Sequence, residues 1–433
     1  MSEIVLDVPI LTRVEGEGGL TVRLRDGAVE SVQLRIYEPP RLFESLLRGR
    51  PLENVPDITA RICGICPVAY QMSSVHALEA ALGVEITREI HQLRRLLYCG
   101  EWIESHALHM HLLQGPDFFG ALSGIELAEQ FPAEVKRGLE LKKYGNELLE
   151  ILAGRAIHPI NVAVGGFYRL PDRDQLRKMI PKLEWSVQAS IDATRWVAGL
   201  EFPDLSLKYE YVALSHSDEY AMNVGQIRST RGICCKAADY AQHFSERQVP
   251  HSTALQAVRI PDETPYLVGP LARLALNREQ LSGAARRLAD EVGFPHPCSN
   301  PYQAIVARGI ELVHACEEAL QIVRNYERRG PARIDYVPKA GCGAAATEAP
   351  RGLLYHRYEV DDAGNIQAAV IIPPTSQNQG QIESDLRSEL VRELGRGNAS
   401  KPDLELQCER LVRSYDPCIS CATHFLPVRW EET

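Results

Sequence analysis

Arg61-Ile62-Cys63-Gly64-Ile65-Cys66-Pro67 near one end of the chain and Asp416-Pro417-Cys418-Ile419-Ser420-Cys421-Ala422-Thr423-His424 near the other decide the fold. Each carries a C-x-x-C pair, and that spacing lets two thiolates converge on one metal from a single turn or helix start. Four thiolates around one centre suit a soft or borderline metal: zinc, nickel, copper or iron. Paired cysteines of a small zinc module stand about 15 to 20 residues apart, whereas most of this chain lies between the two pairs. A thioredoxin-like redox motif wants a βαβ context, which neither pair has. The pairs therefore predict a chain folded so that its ends meet at a metal. A structural zinc protein stays open as an alternative.

Working outward, the 433 residues are 45% hydrophobic and 24% charged, ordinary for a globular protein. The net charge of −10 and the lack of a basic run argue against a nucleic-acid partner. No apolar stretch approaches the roughly 20 residues of a membrane span. Met1-Ser2-Glu3-Ile4 begins neither a basic nor an apolar leader, so no signal peptide is expected and the expected location is cytoplasmic. Eleven cysteines in such a chain point to free thiols and metal ligands rather than disulfides.

Residues 3–36 read as strands: Leu20–Leu24 alternates, Asp26-Gly27 supplies a hairpin turn, and Val29–Ile36 alternates back. The glycine-rich Arg13–Gly19 loop lacks the helix context of a phosphate cradle. From Arg41 helices take over, over 68–82 (Pro67 suits a first turn), 85–113, 126–154, 172–199, 281–293, 301–328, 380–396 and 402–413. Residues 203–280 are mixed, and Ala368–Ile372 is an apolar strand. His106, His109 and His111 have no carboxylate completing a zinc triad and read as histidines packed around a buried site. The adjoining Cys234-Cys235 read as core residues. No repeat or low-complexity linker divides the chain. The expected fold is α+β: one interwoven unit over 1–433, with a small N-terminal β-sheet (1–40) on a large bundle of long helices (41–424).

R-x-C-G-x-C with D-P-C-x-x-C-x-x-H resembles the signature of the large, catalytic subunit of nickel–iron hydrogenases, and the likeness runs from Arg13 to His424. It is closest to the cytoplasmic, nicotinamide-linked branch that includes the sulfhydrogenases. A relative without the metal cysteines, the quinone-site subunit of respiratory complex I, shares that fold; this chain keeps all four. The resemblance implies Cys63 and Cys418 as terminal nickel ligands, Cys66 and Cys421 as bridges to an iron that carries carbon monoxide and cyanide. It also implies a third metal, magnesium or iron, held by Glu44 and His424. R-V-E-G makes Glu15 the first proton carrier, close to the second C-terminal cysteine. In E-A-P-R-G, Pro350 and Arg351 would stand over the metals, and Thr375 beside the iron's ligands. Respiratory members carry an aspartate where Ser105 falls and a histidine where Tyr70 falls, so hydrogen bonding around the metals should differ here.

Heterolytic cleavage of dihydrogen needs a redox-active Lewis acid and a nearby base, and a cysteine on the metal, Cys421 among them, can serve as that base. No cluster-like cysteine spacing is left after these four, so electrons must leave through a separate iron–sulfur small subunit. In the branch this chain resembles, flavin and NAD(P)-binding diaphorase subunits complete the assembly. A maturation chaperone and a C-terminal protease are also implied, the protease removing residues 425–433.

Overall fold

The computed structural model describes residues 3–397 and 400–423. It opens with the antiparallel sheet β1 (Glu3–Val8), β2 (Gly18–Arg25) and β3 (Ala28–Ile36). The β2–β3 connection is the two-residue turn Asp26-Gly27, both at positive φ (49° and 80°), the backbone of a type I′ hairpin. Leu20, Val22 and Leu24 alternate into the core while Arg23 and Arg25 point out. Nothing near the sheet in sequence covers it; helix α8 (Pro374–Arg396), far along the chain, does. There Glu383 accepts the Leu34 N–H at 2.9 Å and Gln379 donates to the Leu34 carbonyl at 3.3 Å.

The helical part holds α1 (Phe43–Leu47), α2 (Pro67–Leu82), α3 (Arg88–Leu108), α4 (Pro132–Ala153), α5 (Ile180–Ala198), α6 (Pro270–Asn277), α7 (Ala304–Asn325), α8, α9 (Lys401–Ser414) and α10 (Ile419–Ala422), with shorter turns between. Pro67 stands at the first turn of α2 and Gly83, at φ 69°, ends it; Thr87 caps α3 through Ile90 N–H. Helices α3 and α4 cross at glycines. A Cβ on Gly145 would stand 2.8 Å from the Gly100 carbonyl oxygen, so only glycine permits that approach. One buried core runs from Leu6 to Cys421 and includes all four motif cysteines. No helix among the described residues is long and apolar enough to cross a membrane.

Helices and several small sheets make a mixed α/β architecture, with more strand than the sequence indicates. The E-A-P-R-G segment closes a hairpin of β4 (Gly341–Ala349) and β5 (Gly352–Val360), joined by β6 (Ile366–Ile372). The 126–154 stretch is two helices broken before Pro132. Thr375–Asn378 belongs to the first turns of α8, so the helix expected over 380–396 starts earlier, at Pro374. Cys234 is exposed and only Cys235 is buried, because the two face opposite sides of a short strand.

Candidate metal centre

Cys63 follows a 3-10 turn in extended conformation, and Cys66 is the cap residue of α2. Cys418 is the cap residue of α10, again extended, and Cys421 lies one turn in. The C-terminal pair is pinned to the N-terminal loop by a parallel bridge between Glu15 and Cys418, in which Ile419 N–H donates to the Glu15 carbonyl at 2.9 Å. The ends thus meet as expected. Sγ of Cys63 and Cys418 stand 3.4 Å apart, Sγ of Cys66 and Cys421 3.7 Å, and all four sulfurs lie within 4.8 Å of one another. They are the one group of three or more potential ligands this close among the described residues.

All four are buried, and none is in a disulfide. A tetrahedral thiolate site with metal–sulfur bonds of about 2.3 Å has sulfur–sulfur edges of about 3.8 Å, so the cage fits a soft metal ion. Hydrogen bonds from Cys418, Cys421 and Cys66 hold the Cys63 thiol well below its ordinary value. The amides of Ile65 and Cys66 also point at that sulfur, at 3.3 and 3.4 Å. Burial pushes the thiols of Cys418 and Cys421 up. Metal binding at this cage therefore displaces protons.

Around the cage stand groups that the sequence named and others that it did not. Glu15 Oε2 accepts the Cys418 S–H at 3.0 Å and the Ser420 N–H at 3.1 Å. Glu15 is thus hydrogen-bonded to the first C-terminal cysteine, whose sulfur lies within 4.8 Å of that of Cys421, and the parallel bridge sets this register. Thr375 Oγ1 accepts the Cys418 N–H at 3.0 Å. Arg351 is buried and donates Nε and Nη2 to the carbonyl and carboxylate of Asp416 at 2.8 and 3.0 Å. Burial works against its charge, but Asp416 and the sulfurs of Cys418, Cys66 and Cys63 outweigh it and raise its pKa. Pro350 precedes it in the β4–β5 turn.

Glu44 lies apart from the cage, accepting the Ile371 N–H at 2.6 Å. Burial lifts its carboxyl to about 8, and burial together with the charge of Glu44 lifts the half-buried Glu246 to about 8. A buried carboxyl of this kind suits a hard cation with oxygen ligands. His424 lies outside the described residues.

Tyr70, one turn into α2, is raised by burial and by the charges of Cys421 and Cys66, and packs on His356 with ring centroids 5.7 Å apart. The Ser105 hydroxyl is buried with no partner among the described residues. His106 pairs with Glu311 at 3.1 Å, and His109 and His111 bond backbone carbonyls at 2.9 Å; none belongs to the cage. Behind it, Glu101 takes the α2 amides of Val68 and Ala69 at 2.7 and 3.2 Å, and burial raises its carboxyl well above the usual range. No local spacing marks Glu101. Asp416 was legible only as part of the D-P-C motif.

A buried cage of four thiols, one donating to a carboxylate, with a guanidinium alongside, defines a soft-metal centre equipped to accept a proton. The profile of the nickel-dependent hydrogenases matches residues 41–137 and 255–424. The alpha subunits of sulfhydrogenases 2 and 1 of Pyrococcus furiosus are 33% and 32% identical, over 98% of this chain and 100% and 99% of theirs. An NAD+-reducing [NiFe]-hydrogenase solved in the H2-reduced state superposes with a TM-score of 0.88 at 25% identity, over 98% of this chain and 100% of that one. The [NiFeSe]-hydrogenase of Dm. baculatum has the same fold, with a TM-score of 0.76 at 22% identity, over 98% and 100%. The chain belongs to the nickel-dependent hydrogenase family, as a catalytic large subunit.

Proposed function

We propose that this chain performs reversible heterolytic cleavage of dihydrogen and passes the electrons to a small iron–sulfur subunit and on to NAD(P). The observation that carries the reading is the thiol cage with Glu15 hydrogen-bonded to Cys418. A nickel–iron pair, once bound, supplies Lewis acidity and redox change; its iron would bear carbon monoxide and cyanide, which no residue encodes.

Cys63, Cys66, Cys418 and Cys421 would hold that pair, their four sulfurs lying within 4.8 Å of one another. A proton arriving on the Cys418 sulfur is 3.0 Å from Glu15 Oε2, within the reach a general base needs. Arg351 and Pro350 exclude water over the cage, and the Thr375 hydroxyl holds the Cys418 backbone. Glu44 and His424 would hold a third metal, magnesium or iron; the burial of the Glu44 carboxyl supports a cation there.

Electrons need a route out of a buried cage, and no second cysteine cluster stands among the described residues. A separate iron–sulfur subunit supplies that route, with diaphorase subunits beyond it. The likeness to a structure described as NAD+-reducing supports the nicotinamide acceptor. The unit comprises residues 1–424, located in the cytoplasm, after a maturation chaperone has served nickel insertion and a protease has removed 425–433. The purified complex should reduce NAD+ or NADP+ under hydrogen. Reduction of an artificial dye but of neither nicotinamide would overturn the acceptor; no hydrogen uptake with any acceptor at full nickel occupancy would overturn the reaction.

A further inference from the structure

Arg273 on α6 is wholly buried and uses every edge of its guanidinium. Nη1 donates to the Ala349 carbonyl at 2.9 Å and to Glu348 at 3.1 Å. Nη2 donates to the Pro350 carbonyl at 2.9 Å and to Glu311 at 2.6 Å, and Nε donates to Glu311 at 2.7 Å. Its carbon lies 4.4 Å from the centroid of the Trp102 ring, and the Trp102 N–H donates to the Glu348 carbonyl at 3.2 Å. Three successive carbonyls, 348 to 350, are thus held by one cation and the ring it stacks on. The next residue is Arg351. With Nε and Nη2 committed to Asp416, its Nη1 is buried with no hydrogen-bond partner among the described residues, and its charge is favoured by Asp416 and by the sulfurs of Cys418, Cys66 and Cys63.

We propose that Arg273 is a positioning residue for the hydrogenase reaction: its fork on the Ala349 and Pro350 carbonyls sets where Pro350 and the free N–H edge of Arg351 stand over the thiol cage. This rests on the reading of the cage as the hydrogen-splitting centre. Three features favour it over a role in stability alone. The grip falls on the two peptides directly before Arg351 rather than on the strand interior. The guanidinium is fixed from its far edge by Glu311, itself held by the Tyr220 hydroxyl at 2.6 Å. The turn also backs closely onto the Val268–Gly269 segment, where a Cβ on Gly352 would meet the Gly269 amide nitrogen at 2.8 Å.

The test is Arg273→Lys in the complete complex, because an ammonium keeps the charge but cannot span two carbonyls and a carboxylate in one plane. With nickel content unchanged, kcat for hydrogen oxidation should fall about tenfold or more, the scale of a displaced positioning group, while KM for hydrogen stays within twofold. The nickel electron paramagnetic resonance g-values should shift. In the metal-free chain, amide hydrogen exchange at Gly352 and Leu353 should speed up.

Arg94→Lys is the control. It breaks an equally buried fork on Glu79 (2.8 and 2.6 Å) and should lower Tm comparably with kcat and g-values unmoved. If Arg273→Lys does not fold or load nickel, Glu311→Gln loosens the same guanidinium from behind and should lower kcat about threefold, with a g shift. Wild-type kcat and g-values in whichever of the two variants loads would overturn the proposal. So would an equal loss of kcat in Arg94→Lys. Wild-type complex that loads nickel but takes up no hydrogen would instead overturn the underlying function.

Discussion

Replacing Glu15 by glutamine isolates its titration from its shape. Its Oε2 receives two donors, the Cys418 S–H at 3.0 Å and the Ser420 N–H at 3.1 Å. The amide oxygen of glutamine keeps the backbone contact, so the expected loss of stability is within about 1 kcal/mol. What glutamine cannot do is take a proton from sulfur. Removing a general base costs about 10² to 10⁴ in rate, or about 3 to 5 kcal/mol of barrier. Cys418 is fully buried, so bulk water does not substitute and the upper half of that range is expected. We predict normal nickel and iron content, hydrogen oxidation slowed about a thousandfold or more, and hydrogen–deuterium exchange into solvent slowed alongside. Glu17→Gln, two residues on, should behave as wild type, because the side chain of Glu17 is exposed and only its backbone N–H is engaged, to Glu38. Normal turnover in Glu15→Gln would refute the reasoning and move the start of proton transfer to another group.

Cys421→Ser should abolish hydrogen uptake and lower nickel occupancy, because a hydroxyl is a harder and far less acidic ligand; full activity with full nickel would remove Cys421 from the ligand set. Intact mass of active enzyme should end at His424, and active enzyme ending at Thr433 would show that this member is not cleaved. A third expectation concerns acid. Burial holds the His111 imidazole down at about 4, below its ordinary value near 6.5. The unfolded chain therefore binds a proton that the folded chain does not. Its contribution to stability is fully present above about pH 6.5 and is lost as pH falls to about 4, about 3 kcal/mol in all. His111→Phe keeps the ring stacked on Trp196 and should flatten the fall in unfolding free energy from pH 7 to 4 by up to one proton. An unchanged slope would contradict the assignment.

The parts legible in the sequence were those governed by local chemistry. The β2–β3 hairpin announces itself by alternation and Asp-Gly, and α2 by Pro67 and Gly83 at its ends. The cysteine pairs announce each other because a small zinc module or a thioredoxin-like motif suits so long a separation poorly. The β4–β5 hairpin was illegible because Gly341–Ala349 is mostly glycine and alanine, poor strand formers. Packing on α2 selects them: a Cβ on Gly343 would lie 2.1 Å from the Ala77 carbonyl oxygen. Pro373-Pro374 reads as the end of a strand, yet proline equally opens a helix, and here it opens α8. The place of Glu15 beside the cage was legible through its motif, but its partner sulfur follows from a bridge between residues 403 apart. Glu101, Asp416 and Arg273 act on groups 32 to 77 residues away, and no spacing encodes those contacts.

The most direct measurement is the metal content of the purified complex, set beside its hydrogen uptake. Four thiolates alone would hold zinc as readily as nickel, so the cage geometry leaves this for the metal to decide. The account predicts one nickel per chain with iron in at least equal amount, hydrogen uptake proportional to nickel, and nickel lost in Cys421→Ser. One zinc per chain, with no nickel and no hydrogen uptake, would contradict it.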